Sequence, residues 1–390
     1  MDSEYVGSEA SLFYERILDD VRQSVEHYSN RIEVNPEDTY AYLRRSQYYC
    51  CLGDEEKVYA DIAKYAMLVS QRNGSSHNNW LHRLIIGLSK STPVNVGKPL
   101  NTAKDDGTYS FSKDGLELYF GSSRSGGYGF YDLWVAKRQT QDSGWGQPVN
   151  LGQTINTRSY DSMPCLSPDG LELFFSSDRP GGLGRPDLWV TRRITKDDNW
   201  GVPQNLGSIV NSRAWEQHPT ISSDGLTLIF ESTRSGHGDF WVTTRSSNNG
   251  EWSKPMNLGT PVNTDYDEWW PRLSCDDLVL FFTSRNRPGG MGDCDLWVTT
   301  RSTKEDPWCM PVNLGPAVNT TAREGAPTLS LDGSILYFAS DRSGGLGGWD
   351  QYQVPIAPLH EVIQNDHSKK LKGSVRLRDN AIKVISDRDF

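Results

Sequence analysis

The chain has 390 residues, with 50 acidic against 40 basic side chains and a net charge of −10. That balance excludes the basic face a nucleic-acid partner requires, and no stretch reaches the ~20 apolar residues of a membrane-spanning helix. A hydrophobic content of 36%, with 13 Trp and 17 Tyr, suffices for the core of one large domain and a small one.

The start, Met1-Asp2-Ser3-Glu4, carries no basic-then-apolar signal, so the chain as given reads as cytoplasmic, or as exported if a leader has been removed. Residues 8 to 89 read as helical. Ser8 caps a helix to about Tyr28, with Leu12, Ile17, Val21, Val25 and Tyr28 along one stripe. Pro36 and Asp38 open a second helix, Leu52-Gly53-Asp54 stops it, and a third runs from Glu55 to about Ser70. Adjacent Cys50 and Cys51 are packing residues. This helix pair resembles a tetratricopeptide repeat, through N-P-x-D-x-x-A-Y at 35–42, the L-G-D turn and Ala60. The resemblance implies a protein-binding groove. One repeat cannot bury its own apolar face, so the reading is a helical cap docked on its neighbour, with a peptide groove as the alternative. Asn73-Gly74-Ser75-Ser76 is a linker signal.

From Pro93 onward the chain repeats itself. Ser167 to Gly207 shows the unit: an S-x-D-x-L start, a Gly-rich R-P-G-G-L-G turn at Arg179, a D-L-W strand at Asp187 and a P-x-N-L-G strand at Pro203. The start recurs at Ser112, Ser222, Ser274 and Ser330, the turn at Arg124, Arg234, Arg287 and Arg342, and the D-x-W/Y strand at Asp132, Asp239, Asp295 and Asp350. A period near 55 residues marks a repeat architecture. The P-x-N-L/V-G strand is out of phase. One copy, Pro93 to Gly97, precedes the first repeat, and the last repeat has none after it. The early strand therefore supplies the missing outer strand of the last unit, which closes a ring and removes exposed sheet edges. The expected fold is mainly β: a five-bladed β-propeller closed by an N-terminal strand clasp, with a small α-helical domain. Boundaries fall at 1–90 for the helices, 91–356 for the propeller and 357–390 for a basic C-terminal extension. The S-P-D-G…F-x-S-x-R-x-G-G-x-G-x-x-D-L-W pattern is similar to the WD-repeat-like, TolB-type propeller repeats of bacterial proteins, a resemblance that implies fold more than function.

Six residues before each S-x-D serine stands a carboxylate: Asp106, Asp161, Glu216, Glu268 and Glu324. Five like charges near one axis need neutralising. The recurring arginines, Arg179 and Arg287 among them, offer bidentate partners, which makes an ion-pair ring; a bound cation with oxygen ligands is the other option. No cofactor is indicated, and the six Cys form neither a disulfide framework nor a zinc pattern. The Asp of each D-x-W ties down its Gly-rich turn.

Function is expected where the repeats differ. Trp215, Trp269, Trp270 and Trp349, with Tyr160, Tyr266, Tyr131 and His218, fall in loops on one face of the expected propeller. Aromatic faces beside carboxylates and arginines suit a small polar ligand or glycan, or a protein segment; alternatively the rings plug the axial channel. The main reading is a non-catalytic binding propeller. The alternative is a glycoside hydrolase, since five-bladed propellers resemble several glycosidase families that place three carboxylates near the axis. Asp161, Glu216 and Glu268 would then be the first candidates, with His218 as a candidate base.

Overall fold

The computed structural model describes residues 3–52, 54–73, 76–184 and 186–356. The extension expected at 357–390 and Gly53 of the helix stop lie outside the described residues, as do the side chains of Leu12, Ile17, Cys50 and Cys51.

Five antiparallel four-stranded sheets form the blades of a propeller. Their inner strands are Asp106–Phe111, Asp161–Leu166, Glu216–Ile221, Asp267–Leu273 and Glu324–Leu329, blades 1 to 5 in that order. Blade 2 continues outward through Glu172–Ser177, Asp187–Arg192 and Gln204–Asn205. The second strands are apolar on both faces because each is covered on both sides; Phe174 and Phe175 are neighbours in sequence and both fully buried. Each inner hairpin turns on a serine–aspartate pair. In blade 2 the Ser167 hydroxyl donates to Asp169 at 2.5 Å, Asp169 accepts the Leu171 amide at 3.0 Å, and Gly170 takes φ +76°, a conformation costly for any other residue.

The out-of-phase strand does close the last blade. Val94–Asn95 pairs antiparallel with Asp350–Pro355, Val94 opposite Gln353 and Asn95 opposite Tyr352. A second asparagine locks the clasp. Asn101 donates to Asn95 Oδ1 and to the Gln351 carbonyl, both at 2.9 Å, and accepts the Gln351 amide at 2.9 Å. The same pair recurs as Asn150 with Asn156, Asn205 with Asn211, Asn257 with Asn263 and Asn313 with Asn319. Each satisfies backbone groups where the outer strand leaves its sheet.

Before the propeller come α1 (Ser3–Val34), α2 (Thr39–Cys51), α3 (Glu55–Asn73) and α4 (Ser76–Leu88). Asp38 caps α2 through the Ala41 amide at 3.0 Å and pairs with Arg31 of α1 at 2.7 Å. The apolar faces of α2 to α4 are covered by one another and by blades 4 and 5. Trp80 meets Phe281 edge to face at 6.1 Å, and Tyr59 and Leu84 share a cluster with Leu296, Phe338 and Val354. The Tyr65 hydroxyl donates to the Met310 carbonyl at 3.2 Å, and the Tyr59 hydroxyl accepts the Ala317 amide at 2.7 Å.

Candidate functional site

The five repeated carboxylates are fully buried and held by the scaffold. Asp161 accepts the Thr157 amide (2.6 Å) and hydroxyl (2.8 Å), the Ser177 hydroxyl (2.5 Å) and Arg179 Nη2 (2.5 Å). The pattern repeats at Asp106 with Arg124 (2.7 Å), Glu216 with Arg234 (2.9 Å) and Glu324 with Arg342 (3.0 Å). Each arginine stacks on the apolar rings of its own blade, as Arg179 does over Phe175 and Trp189. Asp161 and Glu216, both candidate catalytic residues from sequence, thus spend their lone pairs on backbone, hydroxyl and guanidinium donors.

Glu268 departs from the pattern. Blade 4 carries one extra residue between Ser284 and Arg287, and Asn286 sits at φ +54°. Arg287 is displaced: its Nη1 lies 3.7 Å from Glu268 and donates instead to the Val262 carbonyl at 3.0 Å. Glu268 keeps the Thr264 hydroxyl at 2.5 Å and the Ser284 hydroxyl at 3.1 Å. Burial, poorly offset by the distant guanidinium, pushes its carboxyl up to about 7.

The inner strands each contain a bulge, and four of the bulged residues adopt positive φ ahead of a proline: Met163 (59°), His218 (52°), Trp270 (50°) and Ala326 (52°). Left-handed backbone at non-glycine residues costs on the order of 1–3 kcal/mol each and persists only where the surroundings impose it. Three of these residues line one cavity of about 450 Å³ at the upper mouth of the axis, where the second-to-third strand loops gather. Gly107 and Gly121 of blade 1 and Ala326 and Ala339 of blade 5 leave the space; Trp269 and Trp270 of blade 4 wall it. Trp270 lies so close over Gly325 that an added Cβ there would come within 2.7 Å of its ring.

Three tryptophans form a continuous surface, Trp269 to Trp270 at 5.8 Å and Trp270 to Trp349 at 5.9 Å between centroids. Tyr131 and Tyr160 face each other at 5.2 Å across the cavity wall. Burial pushes the Tyr160 phenol up to about 12, so it stays a neutral hydrogen-bonding group. Polar groups stand among the rings. Arg323 stacks on Trp349 at 5.0 Å and Arg285 on Trp269 at 5.8 Å; Asp293 pairs with Arg285 at 3.0 Å, and Asp105 accepts the Tyr131 hydroxyl at 2.9 Å.

Of the sequence candidates, the fold brings Trp269, Trp270, Trp349 and Tyr160 together. Trp215, 55% exposed, and Tyr266, 38% exposed, point elsewhere, and neither lines the cavity. Arg179 and Arg287 are buried behind it with their carboxylates. His218 packs against Trp270 at 4.7 Å without lining the cavity.

His218 has a partner that sequence reading missed. Its Nδ1 shares a hydrogen bond with Glu231, and its Nε2 is buried with no partner. Burial holds the Glu231 carboxyl above the usual range, with His218 opposing. Glu231 occupies a second-strand position filled elsewhere by Gly121, Ser176, Thr283 and Ala339; that contrast was the available signal. Among the described residues no three His, Cys, Asp or Glu side chains group to hold a metal ion, and no helix is long and apolar enough to cross a membrane.

No protein-family model and no curated protein matches the chain. Among solved structures the chain is similar to a putative TolB from Agrobacterium tumefaciens, at 16% identity over 67% of this chain and 78% of that one, TM-score 0.39. It is also similar to TolB from Acinetobacter baumannii, at 14% identity over 77% and 70% respectively, TM-score 0.42. An alpha-L-arabinofuranosidase from Lactobacillus brevis aligns at 12% identity over 66% of this chain and 92% of that one, TM-score 0.46. These are likenesses of fold.

Proposed function

We propose that the upper mouth is a non-catalytic platform for a neutral polyol, a glycan or one of its terminal sugars. The carrying observation is the contiguous Trp269–Trp270–Trp349 surface around a cavity of about 450 Å³, rimmed by Arg–Asp pairs. Sugars present an apolar face of C–H groups to aromatic rings and an edge of hydroxyls to charged donors and acceptors, which this mixture serves. A volume in the ~300–1,000 Å³ range of ligand sites accommodates one or two sugar units. The helical segment, tetratricopeptide-like in its Asn35–Tyr42 entry, acts in this reading as a cap on blades 4 and 5.

One observation favours the hydrolase alternative: Glu268 differs from its four counterparts and holds its proton up to about 7, as a general acid must. Its burial and its bonds to Thr264 and Ser284 weigh against that role. Titrating a panel of neutral mono- and oligosaccharides against tryptophan emission, alongside incubation with nitrophenyl glycosides, separates the two. Saturable quenching without nitrophenol release supports the platform. Emission unmoved by any sugar, or nitrophenol release that disappears in E268Q, overturns it.

A further inference from the structure

The lower mouth of the axis, at the far end of the inner strands, holds a second cavity of about 270 Å³. The fifth inner-strand residue of each blade, counted from the buried carboxylate, faces it: Ser110, Cys165, Thr220, Arg272 and Thr328. Four are small; blade 4 alone supplies a cation. Arg272 reaches across the axis, with Nη1 3.7 Å from Cys165 Sγ and Nη2 donating to the Tyr109 carbonyl at 3.2 Å. Its Nε–H is buried with no acceptor, and among the described residues no carboxylate lies within ion-pair distance. The other axial arginines all stand beside a carboxylate, so this one is anomalous.

Two hydroxyls add to it. Ser110 Oγ accepts the Leu166 amide at 2.9 Å and Thr220 Oγ1 accepts the Leu273 amide at 3.3 Å, and neither hydroxyl hydrogen has a protein acceptor among the described residues. Among the described residues the lining contains no Asp or Glu, in a chain of net charge −10, and Lys113 stands exposed at the rim. A cation with an unused N–H and two unused O–H donors around one void is the donor set of an oxyanion site. The next residues along the strands, Phe111, Leu166, Ile221, Leu273 and Leu329, form an apolar collar.

We propose that the lower mouth binds a small organic monocarboxylate. The carboxylate accepts from Arg272, Ser110 and Thr220, and its hydrocarbon part lies against the collar. A single guanidinium, its Nε–H buried, matches one negative charge, and the collar favours an alkyl or aryl body over a hydrated dianion such as phosphate. The assignment is independent of the sugar platform at the other end of the axis.

Calorimetric titration of the full chain with sodium butyrate, potassium phosphate and butylamine in parallel tests it. Butyrate is expected to bind saturably while phosphate and butylamine do not. R272Q should weaken butyrate binding by at least about ten-fold and T220V by about three-fold, the scale of a lost charged and a lost neutral hydrogen bond. Absence of saturable butyrate heat, or phosphate binding in its place, overturns the proposal, and so does unchanged butyrate affinity in R272Q. If R272Q does not fold, S110A and T220V keep Arg272 and decide the matter: unchanged butyrate affinity in both also overturns it.

Discussion

The five-fold carboxylate ring contains its own control, because four members are gripped by arginine and one is not. Replacing Asp161 by Asn leaves Arg179 buried at 9% exposure without its anion. Removing one partner of such a pair costs about 3–5 kcal/mol. Glu268 behaves differently. Raising its carboxyl from 4.5 to about 7 penalises the ionised form by on the order of 3 kcal/mol. The folded chain binds this proton more tightly than the unfolded chain does. Its stabilising share is therefore full below about pH 4.5 and is lost as pH rises to about 7. Asp295, pushed up to about 7 by burial, slopes the same way and is untouched by a change at Glu268. E268Q mimics the protonated form and loses at most one good hydrogen bond, about 1 kcal/mol. Urea unfolding followed by tryptophan emission at about pH 5 and about pH 8 should show E268Q within about 1 kcal/mol of the parent at the lower pH and no less stable at the higher. D161N should be destabilised by about 3–5 kcal/mol at the higher pH. If E268Q loses as much as D161N at the higher pH, the displacement of Arg287 does not have the electrostatic effect argued from it.

Asn156 joins the Leu133 amide and carbonyl to Asn150 through three hydrogen bonds of 2.8–2.9 Å. N156A should cost about 3 kcal/mol, read as a lower urea midpoint; a loss under about 1 kcal/mol would mean that water replaces those bonds. Y59F removes the acceptor of the Ala317 amide at 2.7 Å, so hydrogen exchange at Ala317 should quicken while the blade 2 amides stay protected; equal exchange rates would refute the docking role. In G325V the added Cβ would come within 2.7 Å of the Trp270 ring, so the ring must move, and the change should weaken sugar binding by about ten-fold although Gly325 itself does not line the cavity; full affinity would show that the Trp270 pose is not required.

The blades were legible because their signals are local and repeated. The D-G turn, the D-x-W strand and the P-x-N-L-G strand recur at fixed spacing, and the phase of Pro93–Gly97 revealed which blade it completes; the register, Asn95 opposite Tyr352, came from the structure. The pairing of Asp161 with Arg179 was legible for the same reason. Adjacency to a carboxylate misled at Trp215: Glu216 turns inward to Ser232 and Arg234, while the residue before it is left exposed. Glu231 and Arg272 were single departures within otherwise small columns of the repeat. Only strand register, Gln217 opposite Glu231, shows that Glu231 comes beside His218. Only coordinates show that Arg272 has no carboxylate partner among the described residues. The insertion that frees Glu268 was visible as Ser284-Arg285-Asn286-Arg287, but its effect depends on the guanidinium–carboxylate distance, 3.7 Å here against 2.5–3.0 Å in the other blades.

A crystal structure of the chain soaked with the sugar that quenches its tryptophan emission most strongly puts the platform to the most direct test. The sugar should lie in the upper cavity with its C–H face on Trp269, Trp270 or Trp349 and its hydroxyls toward Arg285, Arg323, Asp105 or Asp293. Sugar density on another surface, with that cavity holding only water, would contradict the account.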